Sequence, residues 1–195
     1  QRVAVITRRQ GKRALAVMSA DGTNSQTLTT SIDLQGAAGH GIADWSPDGK
    51  WIVIGGTDAN GAALFKLPVD GGIPIRLVEG EAVNPVWSPA GDLIVYAGPM
   101  SAGQVTLAAV RPNGTRVDVP ELRLRQGSYR FRPNGHELVY LPTITSPDFW
   151  LVDLRTNRRR QLTHLNNAGK LQTFDVSPDG THIVFDRTRE HSDIV

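Results

Sequence analysis

Cysteine is absent from the 195 residues of this chain. That excludes disulfides, thiolate nucleophiles and cysteine-ligated zinc or iron–sulfur sites. It leaves the compartment open, because a chain without thiols is at home in either redox state. Long hydrophobic runs are missing as well. None approaches the ~20 residues of a membrane helix, so no membrane insertion is expected. The N-terminal stretch QRVAVITRRQGKR has no apolar h-region and therefore no visible signal peptide. The chain also starts without Met, and reads as mature, trimmed or a fragment. Charge of one sign is scarce: a net charge of +2 and a pI near 9.2 are too weak an excess to argue for nucleic acid.

Catalytic signatures are equally scarce. The sequence has no Gly-x-Ser-x-Gly elbow, His-Glu-x-x-His pair, Walker loop, dinucleotide-binding glycine pattern or Asp-x-Asp-x-Asp-Gly calcium loop. The five histidines show no metal-ligand spacing. The chain is therefore expected not to be an enzyme and to carry no cofactor or metal.

What is present is turn chemistry joined to apolar strands. Gly 20 and Pro 12 mark a turn-rich chain, and an apolar share of 39% is too high for disorder. WSPDG begins at Trp45, WSPAG at Trp87, FRPNG at Phe131 and VSPDG at Val176, at steps of 42, 44 and 45. A period in the low forties fits four short strands and their turns, one propeller blade. In each repeat Pro fixes φ, Asp or Asn accepts backbone N–H bonds, and Gly supplies a left-handed residue. The runs that follow, WIVIGG, LIVYAG, LVYLP and HIVFD, are continuously apolar, as strands covered on both faces are. Third strands (ALFKLPV, VTLAAV, FWLVDL) and more polar fourth strands (IPIRLVE, TRVDVP, RRQLTH) complete the pattern. The expectation is an all-β propeller of four-stranded antiparallel blades. Three are complete (about 42–79, 84–121 and 128–165) and two partial (1–30 and 173–195), within a larger ring.

LAVMSADGTNSQTLT (Leu15 to Thr29) resembles the repeat of TolB-type propellers. WSPDGKWIVI (Trp45 to Ile54) resembles the WD-like repeat shared with tricorn and prolyl-oligopeptidase propellers. The ending DRTREHSDIV is more loosely similar to propellers appended to bacterial serine/threonine kinases and transcriptional regulators. The resemblance implies a bacterial interaction platform, periplasmic or otherwise extracytoplasmic, that docks a protein or peptide on one face. It equally implies an alternative, the accessory propeller of a peptidase or kinase whose catalytic domain lies elsewhere.

Propeller function belongs on the face where linkers between blades meet the connections between second and third strands. Those connections read as RRQGKR, GGTDANG, AGPMSAG, LPTITSP and RTREHS. The basic ones supply Arg8, Arg9, Lys12 and Arg13, then Arg187 and Arg189. They form a candidate rim for an acidic partner, which ring curvature would bring together. His40, in the Gly-rich linker LQGAAGHGI, and Asp58 complete the candidate set. Asp48, Asp92 and Asp179 read as turn residues, His136 and His182 as equivalent solvated turn residues, and Trp45, Trp87 and Phe131 as packing. Basic RTNRRR (Arg155 to Arg160) lies on the opposite side without interleaved aromatics, so no nucleic-acid partner is expected. Open blade edges leave pairing between chains as an option.

Overall fold

A computed structural model describes residues 1–9, 11–29, 31–34, 43–124, 129–142, 148–165, 171 and 173–187. Among them there is no helix; every element is an antiparallel strand. The first sheet joins β1 (Arg2–Arg9), β2 (Lys12–Ser19) and β3 (Gln26–Thr27). The second joins β4 (Ala43–Trp45), β5 (Trp51–Asp58), β6 (Gly61–Pro68) and β7 (Ile75–Glu79) in sequence order. The third runs β8 (Val83–Trp87), β9 (Ile94–Ser101) and β10 (Gln104–Val110). Along the outer edge of β10 its fourth position is filled in two pieces, β11 (Arg116–Val117) and β12 (Arg123–Leu124). The fourth sheet is β13 (Tyr129–Phe131), β14 (Glu137–Tyr140), β15 (Trp150–Asp153) and β16 (Arg159–Gln161). The fifth is β17 (Phe174–Val176) with β18 (Ile183–Phe185).

The unbroken apolar runs make sense once the sheets are stacked. Alternate residues of each second strand serve two different interfaces, as the period of 2 requires. Ile52 and Ile54 pack towards the first sheet with Leu15, Val17 and Leu34, while Val53 packs towards the third with Trp87 and Ile94. Leu138 and Tyr140 meet the third sheet around Val95 and Leu107; Val139 and Leu141 meet the fifth around Phe174. The repeated aromatic position always packs backwards. Trp45, Trp87, Phe131 and Val176 each lie in the interface with the preceding sheet. These are four apolar layers between five blades, each held by side chains whose full burial stabilises by about 1.5–3 kcal/mol apiece.

The Ser-Pro-Asp-Gly stretches are the hairpins between first and second strands. Ser46 N–H bonds Trp51 O (2.8 Å) and Gly49 N–H bonds Ser46 O (2.9 Å); the same pair of bonds closes the turns at Ser88, Arg132 and Ser177. The turns also touch. A side chain on Gly180 (φ +71°) would meet Pro133 Cδ at 2.8 Å, one on Gly135 would meet Ala90 Cβ at 3.3 Å, and one on Gly91 would meet Pro47 Cγ at 3.9 Å. Gly91, Gly135 and Gly180 are thus each covered by the turn of the blade before it, whereas Gly49 faces open space among the described residues. Arg132 Nη2 adds a bond to Gly180 O (3.1 Å) across the fourth-to-fifth step.

The connections between second and third strands are shorter than the sequence reading expects. β1 and β2 pair up to the Arg9–Lys12 rung, β5 and β6 up to Asp58–Gly61, and β9 and β10 up to Ser101–Gln104. Most of RRQGKR, GGTDANG and AGPMSAG is therefore strand, the last two closed by two-residue turns.

Candidate functional site on the linker face

The ends of β5 and β9 rise past the first strands β4 and β8 that flank them, because β4 pairs β5 only from Ile52 to Ile54. Linker segments take over above that point. Asp33 exchanges both backbone bonds with Thr57 (2.7 and 3.0 Å), so the connection between the first and second blades is stitched onto β5. The next linker passes so close that a side chain on Gly55 would lie 2.0 Å from Ala82 O. These two connections enclose a pocket of about 210 Å³ lined by Asp33, Gly55, Gly56, Thr57, Glu81 and Ala82 among others. It offers two carboxylates, a hydroxyl and backbone groups on the face where function was expected.

On the same face the β1–β2 hairpin carries its cations at opposed positions. Arg8 stands across from Arg13 and Arg9 from Lys12 in the ladder. Arg8 is exposed and Arg13 half-buried; the side chains of Arg9 and Lys12 lie outside the described residues. Asp58 is engaged within its own blade. Its carboxylate accepts from Arg76 Nη1 (2.5 Å) and from the Asn60 N–H (2.8 Å), and the Arg76 bond holds it below its ordinary value. Arg187 is exposed after β18, in the fifth sheet, while His40 and Arg189 lie outside the described residues. The geometry thus gathers Arg8, Arg9, Lys12 and Arg13 on one hairpin.

Sequence reasoning missed a charged row on the first strands. Asp44, Val86, Arg130 and Asp175 occupy one register position, each just before the repeated aromatic. Asp44 joins two blades: it accepts the Trp45 N–H (2.9 Å) and, from the next blade, the Trp87 N–H (2.7 Å). Burial pushes its carboxyl above the ordinary value, those two bonds oppose the rise, and Arg130 and Asp175 are near enough to act on it with opposite signs. Arg130 Nε lies 3.8 Å from Asp175 Oδ1. Beside this row, Tyr129 is fully buried and its hydroxyl donates to Asn84 O at 2.5 Å, tying the third and fourth blades. Asn84 itself has φ +50° at a break in the β8–β9 register. Charged residues at one position of otherwise apolar strands were the available signal. His136 and His182 are one rung apart: the ladder bond from Arg132 N goes to Glu137 O, whereas that from Ser177 N goes to His182 O.

Five antiparallel sheets stacked face to face, with linkers on one face, define a β-propeller fold, which solved TolB structures share. No protein-family model matches the chain. An uncharacterized protein of Agrobacterium fabrum is 25% identical over an alignment of 194 positions that covers 91% of this chain and 62% of the relative. TolB of Acinetobacter baumannii superposes with a TM-score of 0.68 at 19% identity, over 94% of this chain and 46% of TolB. The acylaminoacyl peptidase of Pyrococcus horikoshii gives 0.56 at 12% identity, over 90% of this chain and 31% of the peptidase. The chain spans about three-fifths of the curated relative and under half of TolB.

Proposed function

We propose that the propeller is a non-catalytic binding module that presents its linker face to a protein or peptide bearing acidic groups, in an extracytoplasmic setting. The observation that carries this reading is the β1–β2 hairpin. The ladder sets Arg8 across from Arg13 and Arg9 across from Lys12 beside its turn, four cationic residues within one hairpin. An acidic partner would gain from electrostatic steering towards them. The backbone supports the reading too, since Asp33 in the first linker is hydrogen-bonded to Thr57 of β5 and so held in place. Among the described residues no helix is long and apolar enough to cross a membrane.

The test is a binding titration with an acidic peptide at two salt concentrations, comparing the unaltered chain with Arg8→Glu/Arg187→Glu. The expected result is at least a tenfold loss of affinity, a flatter salt dependence and a melting temperature that does not fall, because Arg8→Glu also places opposite charges at the Arg13 rung. Unchanged affinity would remove this face from consideration.

A second reading, the accessory propeller of a larger peptidase or kinase, is favoured by one comparison, in which the matched segment is 31% of an acylaminoacyl peptidase. The gene on both sides of these residues decides between the two readings. A catalytic domain there assigns the chemistry to it; further propeller repeats alone favour the binding module.

A further inference from the structure

The fourth strand of a blade has a partner on one side only. β16 pairs β15 and ends the order of its sheet. We propose that the outer edge of β16 docks an extended acidic peptide as an added antiparallel strand. This site stands apart from the linker face and does not depend on the reading proposed for it.

The phase of the ladder shows what that edge offers. Asp153 N–H donates to Arg158 O (3.0 Å) and Leu162 N–H to Phe149 O (2.8 Å). Bonded and non-bonded rungs alternate along an antiparallel pair. The Leu151–Arg160 rung between those two is therefore bonded, and the Val152–Arg159 and Trp150–Gln161 rungs are not. The backbone N–H and C=O groups of Arg159 and Gln161 accordingly point away from β15. An extended polypeptide matches such a row of donors and acceptors, and adding a strand to a sheet edge is a general mode of peptide recognition.

The side chains set the charge of the occupant. Arg158, Arg159 and Arg160 are all exposed. Arg159 is held in place, its Nη2 donating to Glu121 O of the third blade (2.8 Å) and to Asn157 Oδ1 (3.1 Å). Arg158 and Arg160 have no ion-pair partner among the described residues. Side chains alternate in direction along both strands of a pair, so three consecutive acids meet three consecutive arginines, one opposite each. Arginine suits this role, because its planar fork takes a carboxylate bidentately. The edge also rejects its own kind. A second copy pairing through β16 about Arg159 would set arginine against arginine, which is destabilising where acid against arginine is stabilising. Gln161 ends the acidic stretch: its Nε2 donates to Asp148 Oδ2 (3.0 Å), and that charge disfavours a further acid there.

The probe is acetyl-Thr-Glu-Glu-Glu-Thr-amide, titrated into ¹⁵N-labelled protein and read by amide shifts and amide exchange. Paired antiparallel, its central Glu exchanges both backbone bonds with Arg159 and its first Thr does so with Gln161. The expected result is a saturable shift and slower exchange at the Arg159 and Gln161 amides, with little change in exchange at the Arg160 amide, which β15 already holds. Arg158→Glu/Arg160→Glu should weaken binding at least tenfold, whereas Arg8→Glu/Arg187→Glu on the linker face should retain it within threefold. A peptide N-methylated at the central Glu keeps its charge but loses one bond to Arg159, and should not bind. The proposal is overturned by the absence of a saturable shift, by equal affinity of the methylated peptide, or by unchanged affinity in Arg158→Glu/Arg160→Glu. Loss of binding in Arg8→Glu/Arg187→Glu alone overturns it by placing the peptide on the linker face. Protection of the two amides by rising protein concentration alone assigns the edge to a second copy, and tighter binding of hexametaphosphate at the same amides assigns it to a bare polyanion; either result overturns the proposal. The methylated peptide is tested on the unaltered chain, so a folding failure of a variant does not shield the proposal.

Discussion

Asp48, Ala90, Asn134 and Asp179 hold one position of the four turns, and comparing them shows what the turn asks of a side chain. Ser46 Oγ and Ser177 Oγ each donate to the aspartate two residues on, at 2.5 Å. In the third blade that position is Ala90, and Ser88 Oγ finds Asp92 instead, at 2.8 Å. In the fourth it is Asn134, whose Oδ1 accepts the N–H of His136 and Glu137. The requirement is an acceptor within reach, which several local sequences meet. For Asp48 and Asp179 the serine bond, followed by backbone N–H bonds, lowers the carboxyl below its ordinary 3.8. The folded state therefore binds these protons less readily than the unfolded chain. Their contribution is complete above the ordinary aspartate value and is lost as pH falls below it and through the lowered folded-state values. Asp44, raised by burial, acts in the opposite sense but alone. The expected outcome is a urea midpoint that drops as pH falls below 3.8, with a shallower drop in Asp48→Asn/Asp179→Asn. Tyr129 gives a test independent of pH. Tyr129→Phe removes the hydroxyl's bond to the Asn84 carbonyl and should cost about 1 kcal/mol in urea unfolding at an unchanged m-value. The turn aspartates were legible because their spacing is local. Asp44, Arg130 and Tyr129 were not, because their partners lie in neighbouring blades 43, 45 and 45 residues away.

Strands were legible from apolar runs, but their ends were not. GGTDANG was read as a loop because Gly, Asp and Asn favour turns, whereas β5 and β6 continue as a ladder up to the Asp58–Gly61 rung. Tertiary contact decided the matter. Gly55 and Gly56 are in strand because linkers press against them, and Asp58 is in strand because Arg76 on β7 holds it. Gly55→Ala should destabilise by at least about 2 kcal/mol, since the clash is with backbone that cannot give way by rotamer change. Thermal melts should show it, and the pocket beneath Asp33 should lose its walls. In the third sheet the fourth position is split into β11 and β12, a break that no sequence period signalled.

Across the whole molecule, stability is distributed by interface. The second, third and fourth sheets are each packed on both faces, whereas β17 and β18 have one described interface, around Phe149 and Phe174. Val184, on their other face, is 69% exposed. Stacked repeats of this kind gain stability from nearest-neighbour contacts. Native-state hydrogen exchange should therefore rank β5, β9 and β14 as the slowest and β18 as the fastest of the equivalent strands. Equal protection in all of them would mean that the sheets do not behave as separate units. The propeller class was readable from the repeat, because one blade cannot bury its faces without another. Which side chains meet across blades was not, since that depends on the angle between sheets.

The stacked turns set where this protein tolerates added sequence. Around Gly103, at the tip of the β9–β10 hairpin, a side chain would meet nothing within 4 Å, while at Gly180 it would strike Pro133. An epitope or fluorophore-bearing segment spliced in at 102–103 starts from a position where, among the described residues, nothing lies within 4 Å. The same segment at 179–180 wedges the fourth and fifth blades apart. The β9–β10 tip is therefore a site for grafting, and the stacked turn at Gly180 is not.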